Sequence, residues 1–114
     1  MKYPSAWQKE FPSAITVCDS KGIIIEMNDR SARTFEKDGG LKLVGKSVLD
    51  CHPPMARTKL KELLATGKSN TYTIEKNGKR KLIHQSPWFR KGKLAGMVEL
   101  SIELPEKMPH FVRK

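Results

Sequence analysis

Cysteine is scarce in this chain of 114 residues: Cys18 and Cys51 are the only two, and they form no CxxC pair. That excludes a disulfide framework or a thiolate zinc site as the organising device and makes reduced thiols the expectation. No run approaches the roughly 18 apolar residues of a membrane helix. Met1-Lys2-Tyr3-Pro4 is not followed by the apolar stretch of a secretory signal. A soluble, cytoplasmic protein without a membrane span is expected. Hydrolytic signatures are lacking too: there is no HExxH, no nucleophile motif gathers Ser13, Ser86, His52 and His84, and Gly45-Lys46-Ser47 reads as an imitation of a phosphate-loop ending. No enzymatic activity is expected. The length is that of one domain.

Acidic residues are sparse in one place. Residues 1–55 hold eight basic and seven acidic side chains and residues 95–114 three of each, but residues 56–94 hold eleven and two, which accounts for most of the net charge of +10. Such a segment is either a solvated face or a docking surface for nucleic acid, an acidic protein or a phosphate layer. Only Tyr72, Trp88 and Phe89 are interleaved with it, too few for a base-stacking platform. Nucleic acid is therefore a partner considered but not favoured.

The hydropathy pattern orders the chain. Residues 1–10, with Trp7 next to Phe11, suggest a short amphipathic cap ended by Pro12. Ala14 to Cys18 and Ile23 to Met27 flank Asp19-Ser20-Lys21-Gly22 as a hairpin. Asn28 or Asp29 caps a short helix through Phe35. Residues 47–52 form one turn before Pro53-Pro54. Met55 to Thr66 carries Met55, Leu60, Leu63 and Leu64 as a stripe that Gly67 terminates. Asn77-Gly78 pairs a strand over 70–76 with one over 79–89. Leu94 to Leu104 alternates, with Val98, Leu100 and Ile102 expected on the buried face. The expectation is an α+β fold: a five-stranded antiparallel sheet with short helices and one longer helix over one face, spanning residues 11–104, and a tail over 105–114.

Within this pattern Phe11-Pro12-Ser13-Ala14-Ile15-Thr16-Val17, Asp19, Gly22, Ile25, Asn28, Ala32, Phe35, Gly45-Lys46-Ser47, Gly92, Gly96 and Glu99 stand where the PAS sensory-domain family has its recurring residues. The chain resembles that family over about residues 10–104. The run Val44 to Pro54, with its Cys51-His52-Pro53-Pro54, resembles a subgroup of bacterial and archaeal PAS domains often fused to hemerythrin-like partners. The resemblance implies the PAS fold, a cavity between sheet and helical crossing, and signalling through a separate protein or a homodimer.

Chemistry then rests on a few residues. Ile15, Val17, Ile25, Phe35, Val48, Met55, Leu60, Leu64, Tyr72, Ile74 and Leu82 are expected to line the cavity, with Asn28, Cys51, His52 and His84 as polar anchors. His52 reads in two ways: an axial haem or metal ligand, or a ring packed at the bend that bonds a backbone carbonyl beside a small apolar Cys51. His84 faces either the cavity or the outside. Relatives that hold haem from the long helix would place a histidine where this chain has Arg57, Thr58 and Lys59, and the Lys46 to Cys51 segment does not match the light-sensing flavin branch. No cofactor follows from the sequence; haem on His52 or His84 is an alternative. Trp7, Phe11, Trp88 and Phe89 form a candidate partner surface. The favoured reading is a single-domain PAS module that binds a small ligand noncovalently and signals by protein contacts. A basic nucleic-acid regulator using Arg57, Lys59, Lys61, Lys79, Arg80 and Lys81, and a haem-based sensor, are the alternatives.

Overall fold

A computed structural model describes residues 7–52 and 54–114; Pro53, the Cys51 side chain and part of the 1–10 cap lie outside the described residues. The expected α+β architecture is present. Strands β1 (Ala14–Asp19), β2 (Ile24–Met27), β3 (Asn70–Lys76), β4 (Lys79–Arg90) and β5 (Lys93–Glu103) form one antiparallel sheet in the order β2-β1-β5-β4-β3. Between β2 and β3 run helix α1 (Asp29–Thr34), three single 3-10 turns (Glu36–Asp38, Gly40–Leu43 and Val48–Cys51) and helix α2 (Pro54–Thr66).

Local chemistry accounts for the boundaries. Asp19 Oδ1 accepts from the amides of Lys21 and Ile23, both at 2.9 Å, and closes the first hairpin. Asn77 and Gly78 both take positive φ, the geometry of a two-residue hairpin turn, and this fixes the β3–β4 register. Helix α2 ends where the Gly67 amide donates to the Leu63 carbonyl at 2.8 Å.

The core lies between the helical crossing and one face of the sheet, called the inner face below. Leu60 and Leu63 of α2, Leu43 and Val48 of the 3-10 turns, and Cys18, Ile24, Met27 and Met97 of the strands form one buried cluster. Burying a side chain such as Leu60 or Leu63 stabilises by roughly 1.5–3 kcal/mol. Two expectations about facing need correction. On β5 the inner face carries Met97, Glu99 and Ser101, because these pair with Cys18, Thr16 and Ala14, so Val98, Leu100 and Ile102 stand half-buried on the outer face. On β2 an irregularity opposite Val17/Cys18 turns Ile24 and Met27 inward and leaves Ile25 exposed.

Candidate functional site

Register places a row of polar side chains across the inner face. Asn70 pairs with Gln85, Gln85 with Glu99 and Glu99 with Thr16, so four neighbouring strands each contribute one group. Asn70 Nδ2 donates to Gln85 Oε1 at 2.9 Å, and Gln85 Nε2 donates to Glu99 Oε1 at 2.8 Å. Thr16 and Ser31 share a hydroxyl hydrogen bond of 2.6 Å that ties the row to α1. No ion pair involves Glu99 among the described residues.

Two hollows lie against this row. The inner one, about 30 Å³, is bounded by Cys18, Ile24, Met27, Phe35, Leu43, Val48 and Met97, with Thr16 and Glu99 on its floor and His52 and Leu60 on its wall. That volume admits about one water-sized molecule. The other, a vestibule of about 280 Å³ between α2 and strands β3 and β4, is bounded by His52, Ala56, Lys59, Leu60, Asn70, Tyr72 and Gln85. His52 and Leu60 belong to both walls, so the vestibule and the inner hollow adjoin at these two side chains.

Burial pushes the Tyr72 hydroxyl above its ordinary pKa of 10.0 and the Glu99 charge adds to the rise, so the phenol keeps its proton. Burial likewise raises the Cys18 thiol from 9.0; a backbone hydrogen bond from Met97 opposes the rise, and the Asp19 and Glu99 charges reinforce it. In a Cys51→Ser protein, iodoacetamide should therefore leave native Cys18 unmodified and alkylate it on unfolding, as read by intact mass. The folded state holds the thiol proton more tightly than the unfolded chain. The stability this confers is present below about pH 9 and falls as pH rises above the unfolded value. A native adduct at neutral pH would contradict the placement of Cys18.

The residues singled out in the sequence divide clearly. Phe35 and Leu60 line the inner hollow, His52 and Leu60 both hollows, and Tyr72 the vestibule. Leu64 packs against the core without reaching either hollow. Met55 is 89% exposed, because the first turn of α2 projects it away from the sheet. Asn28 is buried but engaged with backbone at the start of α1 rather than with a hollow. His84 pairs with Leu100 on the outer face and shares a 2.7 Å hydrogen bond with Thr71 Oγ1. His52 Nδ1 lies 2.7 Å from the Val48 carbonyl oxygen, the backbone contact foreseen as its second reading. Of the expected lining, Ile15, Val17, Ile74 and Leu82 also bound neither hollow.

A porphyrin does not fit this geometry. Neither space beside His52, at about 30 and 280 Å³, reaches the roughly 300–1,000 Å³ of pockets that hold drug-sized ligands, and His84 is on the opposite face. No group of three or more metal-ligating side chains occurs among the described residues.

The segment from Gly40 to Ser47 has the full Gly-x4-Gly-Lys-Ser spacing of a phosphate loop, a match that the sequence reading passed over. Its amides are already used: Val44 donates to Leu41, Gly45 to Ile24 and Lys46 to Leu43. A 3-10 turn follows it rather than a full helix, so the cradle that binds phosphate is not formed.

The candidate partner residues lie apart from the hollows. Trp7 and Phe11 are exposed and meet edge to face at 5.6 Å. Trp88 is half-buried on the outer face, where its Nε1 donates to the Cys18 carbonyl at 2.9 Å and the Arg90 guanidinium sits 5.7 Å from its ring centre. Phe89 is exposed. No described helix is long and apolar enough to cross a membrane.

No protein-family model and no curated protein matches the chain. Solved structures do. The PAS domain of Bordetella pertussis BvgS is 21% identical, with a TM-score of 0.61 over 87% of this chain and 82% of that one. The Vibrio cholerae Aer2 receptor, a dual PAS-heme oxygen sensor, is 14% identical with a TM-score of 0.61 over 82% and 95%. The Vibrio cholerae VqmA dimer, of the LuxR-type receptors, is 15% identical with a TM-score of 0.67 over 89% of this chain and 51% of that one, so this chain spans about half of VqmA. A five-stranded antiparallel sheet in 2-1-5-4-3 order with its helices on one face, shared with these proteins, gives the chain the PAS fold.

Proposed function

We propose that this chain is a sensory module that takes a small molecule noncovalently in the vestibule between α2 and strands β3 and β4, with His52 and Leu60 as the gate to the interior. The observation that carries the reading is the meeting of a vestibule of about 280 Å³ and a smaller inner hollow of about 30 Å³ at those two side chains. A ligand that pushes them inward transmits its presence to Cys18 and Met97 on the sheet floor. The likeness of Cys51-His52-Pro53-Pro54 to a PAS subgroup belongs to this reading, with His52 as its residue at the gate. Output passes by protein contacts: the outer face, with half-buried Val98, Leu100 and Ile102 beside Trp88, is suited to a second copy of the chain or to a separate signalling protein. The domain proper is residues 11–104, with residues 1–10 and 105–114 flanking it.

Amide-resolved binding of small aromatic fragments tests this directly. Fragments should shift the amides of Ala56, Leu60, Asn70 and Tyr72, and Ala56→Trp, which fills the vestibule from a half-buried helix position, should abolish the shifts. Shifts that survive in Ala56→Trp, or their absence from the wild type at millimolar concentration, would overturn the reading.

A second reading draws on a cleft of about 490 Å³ beside α1 and the β3–β4 hairpin tip, bounded by Arg30, Lys76, Lys79 and Lys81 with Glu103 as its one acidic wall residue. This favours a polyanion such as nucleic acid. Against it, four of the six cations named from the sequence are engaged within the protein: Arg57 with the His52 carbonyl, Lys59 with Glu62, Lys79 with Glu103 and Arg80 with Glu75. Binding to DNA or RNA that weakens steeply with salt and is lost in Lys76→Glu/Lys81→Glu would favour it.

A further inference from the structure

We infer that the vestibule selects a ligand carrying an N–H donor on an otherwise apolar body; this rests on the ligand-site reading above and names the chemistry of that site. The argument follows proton direction along two chains of hydrogen bonds.

The first chain starts at Glu99. Its ionised carboxylate has no proton to give, so the 2.8 Å contact with Gln85 is made by the Gln85 amide nitrogen. That orientation turns the Gln85 oxygen to Asn70, and the 2.9 Å contact there is made by the Asn70 nitrogen. Asn70, at the vestibule wall, is left with its carbonyl oxygen free of any partner among the described residues. The second chain starts at the Val48 carbonyl, an acceptor only. The His52 nitrogen 2.7 Å from it carries the ring proton, so in the neutral ring the other nitrogen, Nε2, is an acceptor with no partner among the described residues. Both assignments are fixed by groups outside the vestibule. Beside the donors of the Tyr72 hydroxyl, Lys59 and the second Asn70 N–H, the wall thus holds two acceptors without partners among the described residues, and a ligand that brings an N–H satisfies them.

The remaining wall is apolar apart from one cation. Lys59 is the cation at the rim, within 3.7 Å of Glu62, and it disfavours a cationic body. Ala56, Leu60 and the ring of Tyr72 supply apolar contact.

Indole and benzofuran test the inference on the intact chain. They share a shape, but the first presents N–H where the second presents an acceptor oxygen. Titration followed by amide shifts should give indole a dissociation constant at least about tenfold lower. That ratio should fall towards one in Asn70→Leu or His52→Phe. It should fall partway in Glu99→Gln, where the amide no longer forces the direction of the chain. Equal affinities in the wild type would overturn the donor selection and leave the ligand site standing. A ratio that persists in both Asn70→Leu and His52→Phe would overturn the assignment of the acceptors. Absence of binding by either compound would overturn the selection together with the site on which it rests.

Discussion

Gly96→Ala should cost about 3–5 kcal/mol and lower Tm by roughly 12–30 °C, enough to leave much of the protein unfolded if its stability is ordinary. Gly96 pairs with Asp19 on one side and Trp88 on the other, at the centre of the β1-β5-β4 part of the sheet. A Cβ there would collide with the Cys18 carbonyl oxygen and would stand 2.8 Å from both the Asp19 carbonyl carbon and Trp88 Nε1. Two of these three neighbours are backbone and cannot rotate away. The third holds the indole hydrogen bond to the Cys18 carbonyl, so the substitution also breaks the tie between β4 and β1. Gly45→Ala is the control: its φ of +95° is equally unfavourable to alanine, but nothing lies within 4 Å of the added carbon. It should cost only about 1–2 kcal/mol. Thermal unfolding of the two variants separates collision from backbone strain, and equal losses would contradict the close approach at Gly96.

Asn28→Ala should be nearly as damaging, at about 3–5 kcal/mol. The side chain is 3% exposed. Its oxygen accepts from the amides of Ile15 and Ser31, both at 2.9 Å, which caps α1 and pins it to β1. Its nitrogen donates to the carbonyls of Gln8, Phe11 and Ser13 at 3.0, 3.3 and 2.8 Å, which ties the segment before β1 to the same point. Alanine orphans both amides and removes the donor from three carbonyls, each unmet buried group costing about 1–3 kcal/mol with partial recovery by water. Asn28→Asp keeps the acceptor and the cap but sets a carboxylate against three carbonyl oxygens. It should therefore destabilise as well, which a simple helix-capping role would not produce. Denaturant unfolding of both variants reads this directly, and a wild-type midpoint in Asn28→Asp would contradict the role of the nitrogen.

The architecture was readable because its punctuation is local. Asp19 to Gly22, Asn77-Gly78 and Gly67 stop or turn the chain by their own chemistry, and the strand and helix expectations between them agree with the structure to within a residue or two. Facing was not readable, because it depends on single-residue irregularities. Counted outward from the Lys91-Gly92 turn, Gln85 would oppose Val98. Opposite Trp88/Phe89 the bulge adds one residue, Ala95, to β5, so Gln85 opposes Glu99 instead. A slip of one residue exchanges the faces of a strand, and apolar alternation alone had marked Val98, Leu100 and Ile102 for the inside. The β1–β2 irregularity misdirects Ile25 in the same way.

The polar row was half legible. Counting from Asn77-Gly78 pairs Asn70 with Gln85 and places Thr71 opposite His84, so the outward direction of His84 follows once Tyr72 and Ile74 are set inside. The step from Gln85 to Glu99 needed the bulge. His52 was found because a histidine before two prolines is conspicuous, and its contact with the Val48 carbonyl is the short-range bond such a bend provides. The network around Asn28 was only partly legible, because a role as N-cap explains only one of its five side-chain hydrogen bonds. The other four come from segments up to 20 residues away.

The central claim is that a ligand sits between α2 and the inner face of the sheet, and nuclear Overhauser contacts between bound indole and the labelled protein test it most directly. The account predicts contacts to the Ala56 methyl, the Leu60 methyls and the Tyr72 ring. Contacts to Val17, Leu82 and Leu100 instead would place the ligand on the outer face and contradict it.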